Sequence, residues 1–217
     1  MQAQPPLAII GRTGKPLRSH GRPGSNVTPR SHPHRMRPLN VPSLKTTRLL
    51  LRPLTEADVP SLFQIHSDPT AMRYWSGTVW RDEERGRAMV KRDMDQSLND
   101  HLRLGIELVE TGRLIGTCTL FQINDQCGRA ELGYMLGSFA WGQGYMREAL
   151  RAFLGHAFTE MNLNRIEADT DPRNDASLRL LASLGFVKEG HFRERWVVDG
   201  EVSDSAMFGL LRREWSQ

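Results

Sequence analysis

The sequence Trp141-Gly142-Gln143-Gly144-Tyr145-Met146 runs directly into a segment with helical periodicity, and the rest of the chain is interpreted around it. Two glycines at alternate positions permit a tight turn in which no Cβ atom separates the backbone from a ligand. The helix that follows would point its unpaired N–H groups back at the turn, and helix N-termini of this kind bind anions, phosphates in particular. The hexapeptide alone leaves a second interpretation open, a plain strand-to-helix connection.

The segment after this turn is predicted to form an amphipathic helix. Its apolar residues recur three or four positions apart: Met146, Ala149, Leu150, Phe153, Leu154, Ala157, Phe158 and Met161. Charged residues such as Arg147 and Arg151 fall on the opposite side. One face of the helix should therefore be buried against a core.

The positive charge of the chain belongs to its N-terminal part. Ten of the 29 Lys and Arg residues lie in residues 1–52, which contain no Asp or Glu. Residues 53–217 consequently hold 19 basic and 25 acidic side chains, a net charge of −6. A nucleic-acid-binding fold is expected to carry positive charge on the folded domain itself, so a specific nucleic-acid partner is not expected.

Residues 1–43 form a predicted N-terminal extension, and residues 44–217 form one folded domain. The extension is rich in Pro, Gly, Arg, Ser and His without apolar periodicity, which predicts disorder. Three interpretations stay open: a flexible basic arm that touches RNA or ribosomes, an artefact of cloning or start assignment with Met36 as the true start, and a transit peptide.

The location predicted from the sequence is cytoplasmic, without a membrane partner. No apolar run reaches the length of a transmembrane helix or of a signal-peptide core. Cys118 and Cys127 are too few for a disulfide framework and lack the spacing of metal ligands. We therefore expect two reduced thiols and no metal site.

The periodicity elsewhere predicts an α/β (α+β) fold with a mixed sheet. Strands are expected at residues 47–53, 104–108, 114–121, 129–136, 165–169, 192–198 and 202–211. Helices are expected from Thr55 to His66, over residues 82–98 and over residues 174–184, with Asp68-Pro69 stopping the first and Gly185 the last.

Five segments together resemble one known family. They are Thr47-Arg48-Leu49-Leu50-Leu51-Arg52-Pro53-Leu54, Ala130-Glu131-Leu132-Gly133-Tyr134, Trp141-Gly142-Gln143-Gly144-Tyr145, Asn174-Asp175-Ala176-Ser177, and Leu184-Gly185-Phe186 with Glu189-Gly190. In this order and spacing they resemble the GNAT superfamily of acyl-CoA N-acyltransferases, in its RimJ/RimL-like branch of ribosomal-protein N-terminal acetyltransferases. The resemblance covers about three quarters of the chain, from Thr47 to Trp215.

The resemblance implies a GNAT fold and acetyl-CoA as cofactor. The fold would have a mixed, mostly antiparallel central sheet of about six to seven strands, with helices on both faces and strands splayed at the cofactor site. The family pattern for the phosphate turn is Arg/Gln-x-x-Gly-x-Gly/Ala, from which this chain departs at Trp141 and Met146. Many relatives also have a Tyr seven residues after the Asn as an acid for the leaving thiolate, and this chain has Leu181 there.

By the same resemblance, cofactor-binding residues lie in three segments. Backbone N–H groups would hold the diphosphate, at Gln143, Gly144, Tyr145, Met146 and Arg147. The pantetheine arm would insert between two strands and bond to the backbone of Tyr134, Met135 and Leu136. Asn174 would bond the same arm or serve as a plain helix N-cap, and Ser177 would be the proton donor on the thiol side or a packing residue.

Two glutamates compete for the role of general base. Glu131 matches the family position on the central strand, and its face is shared with Gly133 and Met135, which should raise its pKa. The alternative is a rim glutamate paired with an arginine, Arg129 or Arg195.

The rival carboxylate is Glu194. It alternates with Phe192 and Trp196, which places it on their side of a strand as base, amine anchor or ion-pair partner. Asp169 and Asp204 are weaker candidates for holding a cationic acceptor.

The expected reaction is direct acetyl transfer to a primary amine. The acceptor would be a peptide or protein N-terminus, a ribosomal protein among them, or a small-molecule amine. A non-catalytic acyl-CoA-binding module is the alternative. The acceptor and the oligomeric state stay open, a homodimer included.

Overall fold

The computed structural model describes residues 41–95 and 101–216, which form one sheet with helices on both faces. The strands are β1 (Leu44–Lys45), β2 (Leu49–Arg52), β3 (His101–Leu108), β4 (Leu114–Asn124), β5 (Arg129–Leu136), β6 (Arg165–Thr170), β7 (Val187–Val198) and β8 (Glu201–Leu211). The helices are α1 (Val59–His66), α2 (Pro69–Met72), α3 (Glu84–Met94), α4 (Tyr145–Thr159) and α5 (Asp175–Ser183). The predicted disorder of the extension lies outside the described residues, except at residues 41–43.

The sheet is mixed and mostly antiparallel, as predicted. Its strand order is β1-β2-β3-β4-β5-β6-β8-β7, and the one parallel pair among these neighbours is β5 with β6. The sheet has eight strands where six to seven were expected, because the two-residue strand β1 pairs Leu44 with Leu51 and Lys45 with Leu50. A strand of two residues is too short to show an alternating pattern in sequence.

The strands β5 and β6 separate halfway along their length. Their pairing runs from Arg129 beside Arg165 to Leu132 beside Ala168 and ends there. The second half of β5, Gly133 to Leu136, therefore has β4 as a neighbour on one side and no paired strand on the other. This opening is the splay expected for the fold, and we call it the β5–β6 gap.

Two hydrophobic cores cover the two faces of the sheet. The larger core contains α4 and α5, with Phe153, Leu150 and Leu181 fully buried. A smaller core on the other face joins Leu62 of α1 to Val90 of α3. The amphipathic pattern of α4 thus predicted its buried stripe correctly.

Several predicted helix bounds differ from the observed ones. Thr55 N donates to Asp58 Oδ2 at 2.7 Å as the capping pattern predicts, but a 3-10 turn, Glu56–Asp58, precedes the α-helix. After Asp68-Pro69 the chain makes one further turn, α2, because Asp68 Oδ1 accepts from Thr70 N.

The second predicted helix is shorter than residues 82–98. It begins at Glu84, whose N–H is capped by Asp82 Oδ1 at 2.9 Å, and ends at Met94 because Asp95 is extended with ψ 90°. The remainder of that prediction, residues 96–98, lies outside the described residues.

Candidate active site

The turn before α4 has the backbone geometry of an anion site. Gly142 and Gly144 both have φ of +75°, a conformation that side-chain-bearing residues rarely adopt. The first N–H bonded to a carbonyl in this turn is that of Glu148, which donates to Gly144 O at 3.1 Å. In the part of the chain that the structure describes, the N–H groups from Gln143 to Arg147 have no acceptor. These free donors, at the positive end of α4, suit a diphosphate.

Arg48 of the β1–β2 connection braces this turn. Its Nη1 donates to Gln143 O at 2.9 Å and its Nε to Glu148 Oε2 at 2.7 Å. Thr46 Oγ1 donates to the other oxygen of the Glu148 carboxylate at 2.6 Å. The guanidinium also lies 4.6 Å from the centroid of the Tyr145 ring. We did not predict Arg48 as a site residue, although it belongs to a quoted family segment, because its partners are about a hundred positions away.

The second half of β5 leaves backbone groups without a strand partner at the gap. Met135 is buried in a small cluster with Ile65 and Met72. Trp141 Nε1 donates to Leu136 O at 2.9 Å, which ties the end of β5 to the start of the turn before α4. The unpaired edge of β5 and the free N–H groups of the turn are thus parts of one connected surface.

Two hydroxyl groups meet across the β5–β6 gap. Tyr134 Oη and Ser177 Oγ are 2.5 Å apart, and Ser177 N donates to Asn174 Oδ1 at 3.1 Å, so Asn174 is an N-cap of α5. Burial raises the pKa of Tyr134 to about 12, against a smaller lowering by the Ser177 hydrogen bond. Leu181 of α5, at the position where many relatives have a Tyr, is fully buried and has no hydroxyl group. Tyr134 supplies a hydroxyl group from β5 instead. This pair was missed because its members lie on separate elements.

Glu131 lies on the face of β5 opposite to Tyr134. Its pKa is raised to about 7, first by burial and then by the negative charge of Asp169. Gln122 Nε2 donates to Glu131 Oε2 at 3.2 Å. Arg129 and Arg195 moderate the rise by their positive charge, but they form ion pairs with Glu167 and Asp169 instead. The ion pair of Glu131 with Arg129 or Arg195 that the alternative required is therefore not formed among the described residues.

Asp169 of β6 is the centre of a hydrogen-bond cluster near Glu131. It accepts from Arg195 Nε at 2.9 Å, from Trp196 Nε1 at 3.3 Å and from the hydroxyl of Ser205. The Asp169 side chain is only 8% exposed. Its oxygens are thus already occupied by protein donors.

The alternating pattern placed Glu194 on the same side of the strand as Phe192 and Trp196, but the structure interrupts this alternation. The register of β7 against β8 shifts between those two residues, and Glu194 has φ of +52° within the bulge. Its side chain is exposed, and its N–H donates to Asp204 Oδ1 at 2.8 Å. Asp204 Oδ2 lies 2.8 Å from His191 Nε2, so this carboxylate is also engaged.

Neither a membrane span nor a metal centre is seen in residues 41–95 and 101–216. No helix there is long and apolar enough to cross a bilayer. No group of three or more His, Cys, Asp and Glu side chains there is arranged to hold a metal ion.

The chain belongs to the GNAT acetyltransferase family. The model of the acetyltransferase (GNAT) domain matches residues 48–187. The uncharacterized N-acetyltransferase p20 of Bacillus licheniformis is 41% identical over 175 residues, which cover 80% of this chain and 98% of that protein. The protein is accordingly an N-acetyltransferase with acetyl-CoA as its acetyl donor.

Solved structures of two Vibrio cholerae proteins share the fold. A spermidine N-acetyltransferase in complex with CoA and spermine has a TM-score of 0.70 at 24% identity, covering 78% of this chain and 98% of its own. A protein provisionally named a ribosomal-protein-serine acetyltransferase has a TM-score of 0.68 at 25% identity, covering 81% of this chain and 99% of its own. The names of the two neighbours give different acceptors, although both proteins have the same fold.

Proposed function

We propose that the enzyme transfers the acetyl group directly to a primary amine, with Glu131 as the general base. The acceptor is a protein N-terminus, as for a ribosomal protein, or a small-molecule amine. The observation that carries this proposal is the half-buried Glu131 carboxylate, with a pKa raised to about 7, on the sheet face opposite to Tyr134.

Glu131 suits the removal of a proton from an amine. An α-amino group with a pKa near 8, or a lysine near 10.4, is mostly protonated at neutral pH and cannot attack in that form. A base is most effective when its pKa is close to the working pH, which an exposed glutamate near 4.3 is not. Burial of Glu131 thus brings its pKa into the useful range.

The residues of the turn and the gap fit the cofactor. The free N–H groups from Gln143 to Arg147 would hold the diphosphate, and the unpaired edge of β5 from Tyr134 to Leu136 would bond the pantetheine arm as an added strand. Asn174 completes the wall of the gap as the cap of α5. When bound, acetyl-CoA supplies an acetyl group activated as a thioester.

Ser177 is the proposed proton donor at the gap. Burial keeps the Tyr134 phenol protonated, so its Oη–H can donate to Ser177 Oγ. The Ser177 hydroxyl proton is then free to point into the gap. Glu194, exposed within the bulge of β7, is a weaker candidate for contacting the acceptor.

A panel of amines tests the acceptor class. The purified full-length chain is mixed with acetyl-CoA and with N-terminal peptides, amino acids, polyamines and aminoglycosides, and release of free CoA is followed. We expect amine-dependent release with at least one N-terminal peptide or small amine. Binding of acetyl-CoA without release for any amine would favour a non-catalytic acyl-CoA-binding module.

A further inference from the structure

The Arg195 side chain is anchored to Asp169 near Glu131, and one end of its guanidinium group is free. Its Nε donates to Asp169 Oδ2 at 2.9 Å, and its Cζ lies 5.2 Å from the Phe192 ring centroid and 5.8 Å from that of Trp196. Neither Nη atom has a hydrogen-bond partner among the residues that the structure describes. The side chain is 38% exposed, so a ligand can approach these donors.

The carboxylate that orients Arg195 is itself fixed. Asp169 is held by Trp196 Nε1 and by the hydroxyl of Ser205, and it is almost completely buried. A guanidinium anchored through Nε to such a group presents its two Nη atoms in one direction. Two parallel N–H donors of this kind match the two oxygens of a carboxylate.

Arg195 also lies within electrostatic range of the proposed base. Its positive charge opposes the rise in the pKa of Glu131 that burial causes. Glu131 of β5 is the direct neighbour of Glu167 on β6. Asp169 follows Glu167 by two residues on the same face of β6, which is about 7 Å along the strand. If the amine of a peptide acceptor lies at Glu131, a carboxylate bound by Arg195 would therefore belong to the first or second residue of that peptide.

The other carboxylates of this face are not free to bind a second cation. Glu167 accepts from Arg129 Nη1 at 2.7 Å and from Arg165 Nε at 2.8 Å. Asp169 is occupied as described above. A polyamine needs unpaired carboxylates for its remaining ammonium groups, and the carboxylates adjacent to Glu131 on β6 do not provide them.

We propose that the free edge of Arg195 binds a carboxylate of the acceptor, so that the acetylated amine belongs to a molecule with a negative charge close to its amino group. Amino acids and peptides with an acidic residue next to the N-terminus have this chemistry, and polyamines do not. The assignment rests on the proposed function and names the acceptor class of the same site.

Matched acceptors that differ in one carboxylate test this assignment. The peptide pair is Ser-Asp against Ser-Asn with amidated C-termini, the small-molecule pair is serine against serinamide, and spermidine is the polycation. Each is used with the wild type, with Arg195→Gln and with Arg195→Lys. Glutamine can still donate to Asp169 but lacks the charge and the two-pronged donor, and lysine keeps the charge alone. Arg193→Gln, at an exposed neighbouring arginine, is the matched control.

For the wild type we expect about a tenfold or larger preference in kcat/KM, per unprotonated amine, for the carboxylate member of at least one pair. Arg195→Gln should reduce this preference to within about twofold, mainly through KM, and Arg195→Lys should fall between. Arg193→Gln should retain the preference. Calorimetric binding of the same acceptors in the presence of CoA should show the same order, and melting curves should show that each variant is folded.

A preference for serine over serinamide would identify an α-carboxyl group as the bound carboxylate. A preference for Ser-Asp over Ser-Asn would identify an acidic side chain. The proposal is overturned if the wild type uses both members of each pair equally, if it prefers spermidine, or if Arg195→Gln keeps the wild-type preference. Absence of CoA release with every amine would instead overturn the proposed function, and this assignment with it.

Discussion

Burial gives the Glu131 carboxylate a pKa of about 7, and the negative charges of Asp169 and Glu167 add to the rise. The same burial that makes this carboxylate a usable base makes its ionised form unfavourable in the folded protein. In the proposed mechanism, catalysis and stability are therefore opposed at this one side chain, as is common for functional groups in enzymes.

Replacement of Glu131 by Gln should lower turnover by about two orders of magnitude, because an amide cannot accept the proton of the amine. CoA affinity should be unchanged, since the free N–H groups of the turn lie elsewhere. In the wild type kcat/KM should fall as the pH drops below about 7, and the variant should lack this limb. Kinetics of CoA release across pH, with calorimetry of CoA binding, measure both. An unchanged rate would move the base role to Glu194 or to a water-relayed base.

The same Glu131→Gln variant should be more stable than the wild type above pH 7. The pKa is higher in the folded state, about 7, than in the unfolded chain near 4.5, so ionisation costs folding free energy as the pH rises through this window. The gain should be about 1–3 kcal/mol above pH 7, allowing for partial exposure, and should vanish below pH 4.5. Urea unfolding at several pH values measures it.

At the scale of elements, the N-terminus of α4 is shaped by a residue from the far edge of the sheet. Arg48 neutralises Glu148 in the first turn of α4 and holds the carbonyl of Gln143. Without Arg48, the Glu148 carboxylate would be left beside donors that are free to bind an anion. The charge around the N-terminus of α4 therefore depends on the β1–β2 connection as well as on the helix itself.

The variant Arg48→Met should therefore weaken CoA binding by about tenfold or more, through the unpaired carboxylate and the loosened turn. Affinity for pantetheine, which lacks the diphosphate, should be unchanged. Arg147→Met is the matched control, because it removes an equal charge near the same turn and leaves the ion pair of Glu148 with Arg48 in place. Addition of Glu148→Gln to Arg48→Met should restore part of the affinity. Calorimetry with both ligands decides this, and an equal loss for CoA and pantetheine would contradict the assignment.

At the scale of the whole molecule, the larger of the two cores joins distant parts of the described chain. The larger cluster extends from Leu49 in β2 to Leu210 in β8, with both residues fully buried. It includes residues from the sheet, α4 and α5, so both ends of the chain segment 44–211 contribute to it. A core shared by segments so far apart in the chain is typical of a single domain.

Deletion of residues 1–40 should leave this domain folded, because its core is drawn from residues after 40. We expect a melting temperature within about 2 °C of the full-length value and the same rate of CoA release. Scanning calorimetry of the full-length and shortened chains makes the comparison. A lost or much lower transition would show that the extension contributes to folding.

Local patterns predicted the central elements well. The bounds of β5, Arg129–Leu136, were those expected, and α4 follows its apolar stripe to Thr159, two residues short of Met161. Periodicity succeeds here because both elements bury one regular face. It failed at Glu194, where a bulge in β7 adds residues and breaks the alternation.

The sequence by itself determined the turn, the helix behind it, the positions of most strands along the chain and the family, because these depend on residues close together in the chain or in a fixed order. Only the tertiary structure decided which charged groups are paired. It formed the hydrogen bonds of Arg48 with the turn before α4, of Tyr134 with Ser177, and of Arg195 with Asp169. The physical reason is that these features depend on distances between remote segments: burial and neighbouring charges set the pKa of Glu131, and the hydrogen bond to Asp169 leaves the outer edge of Arg195 free.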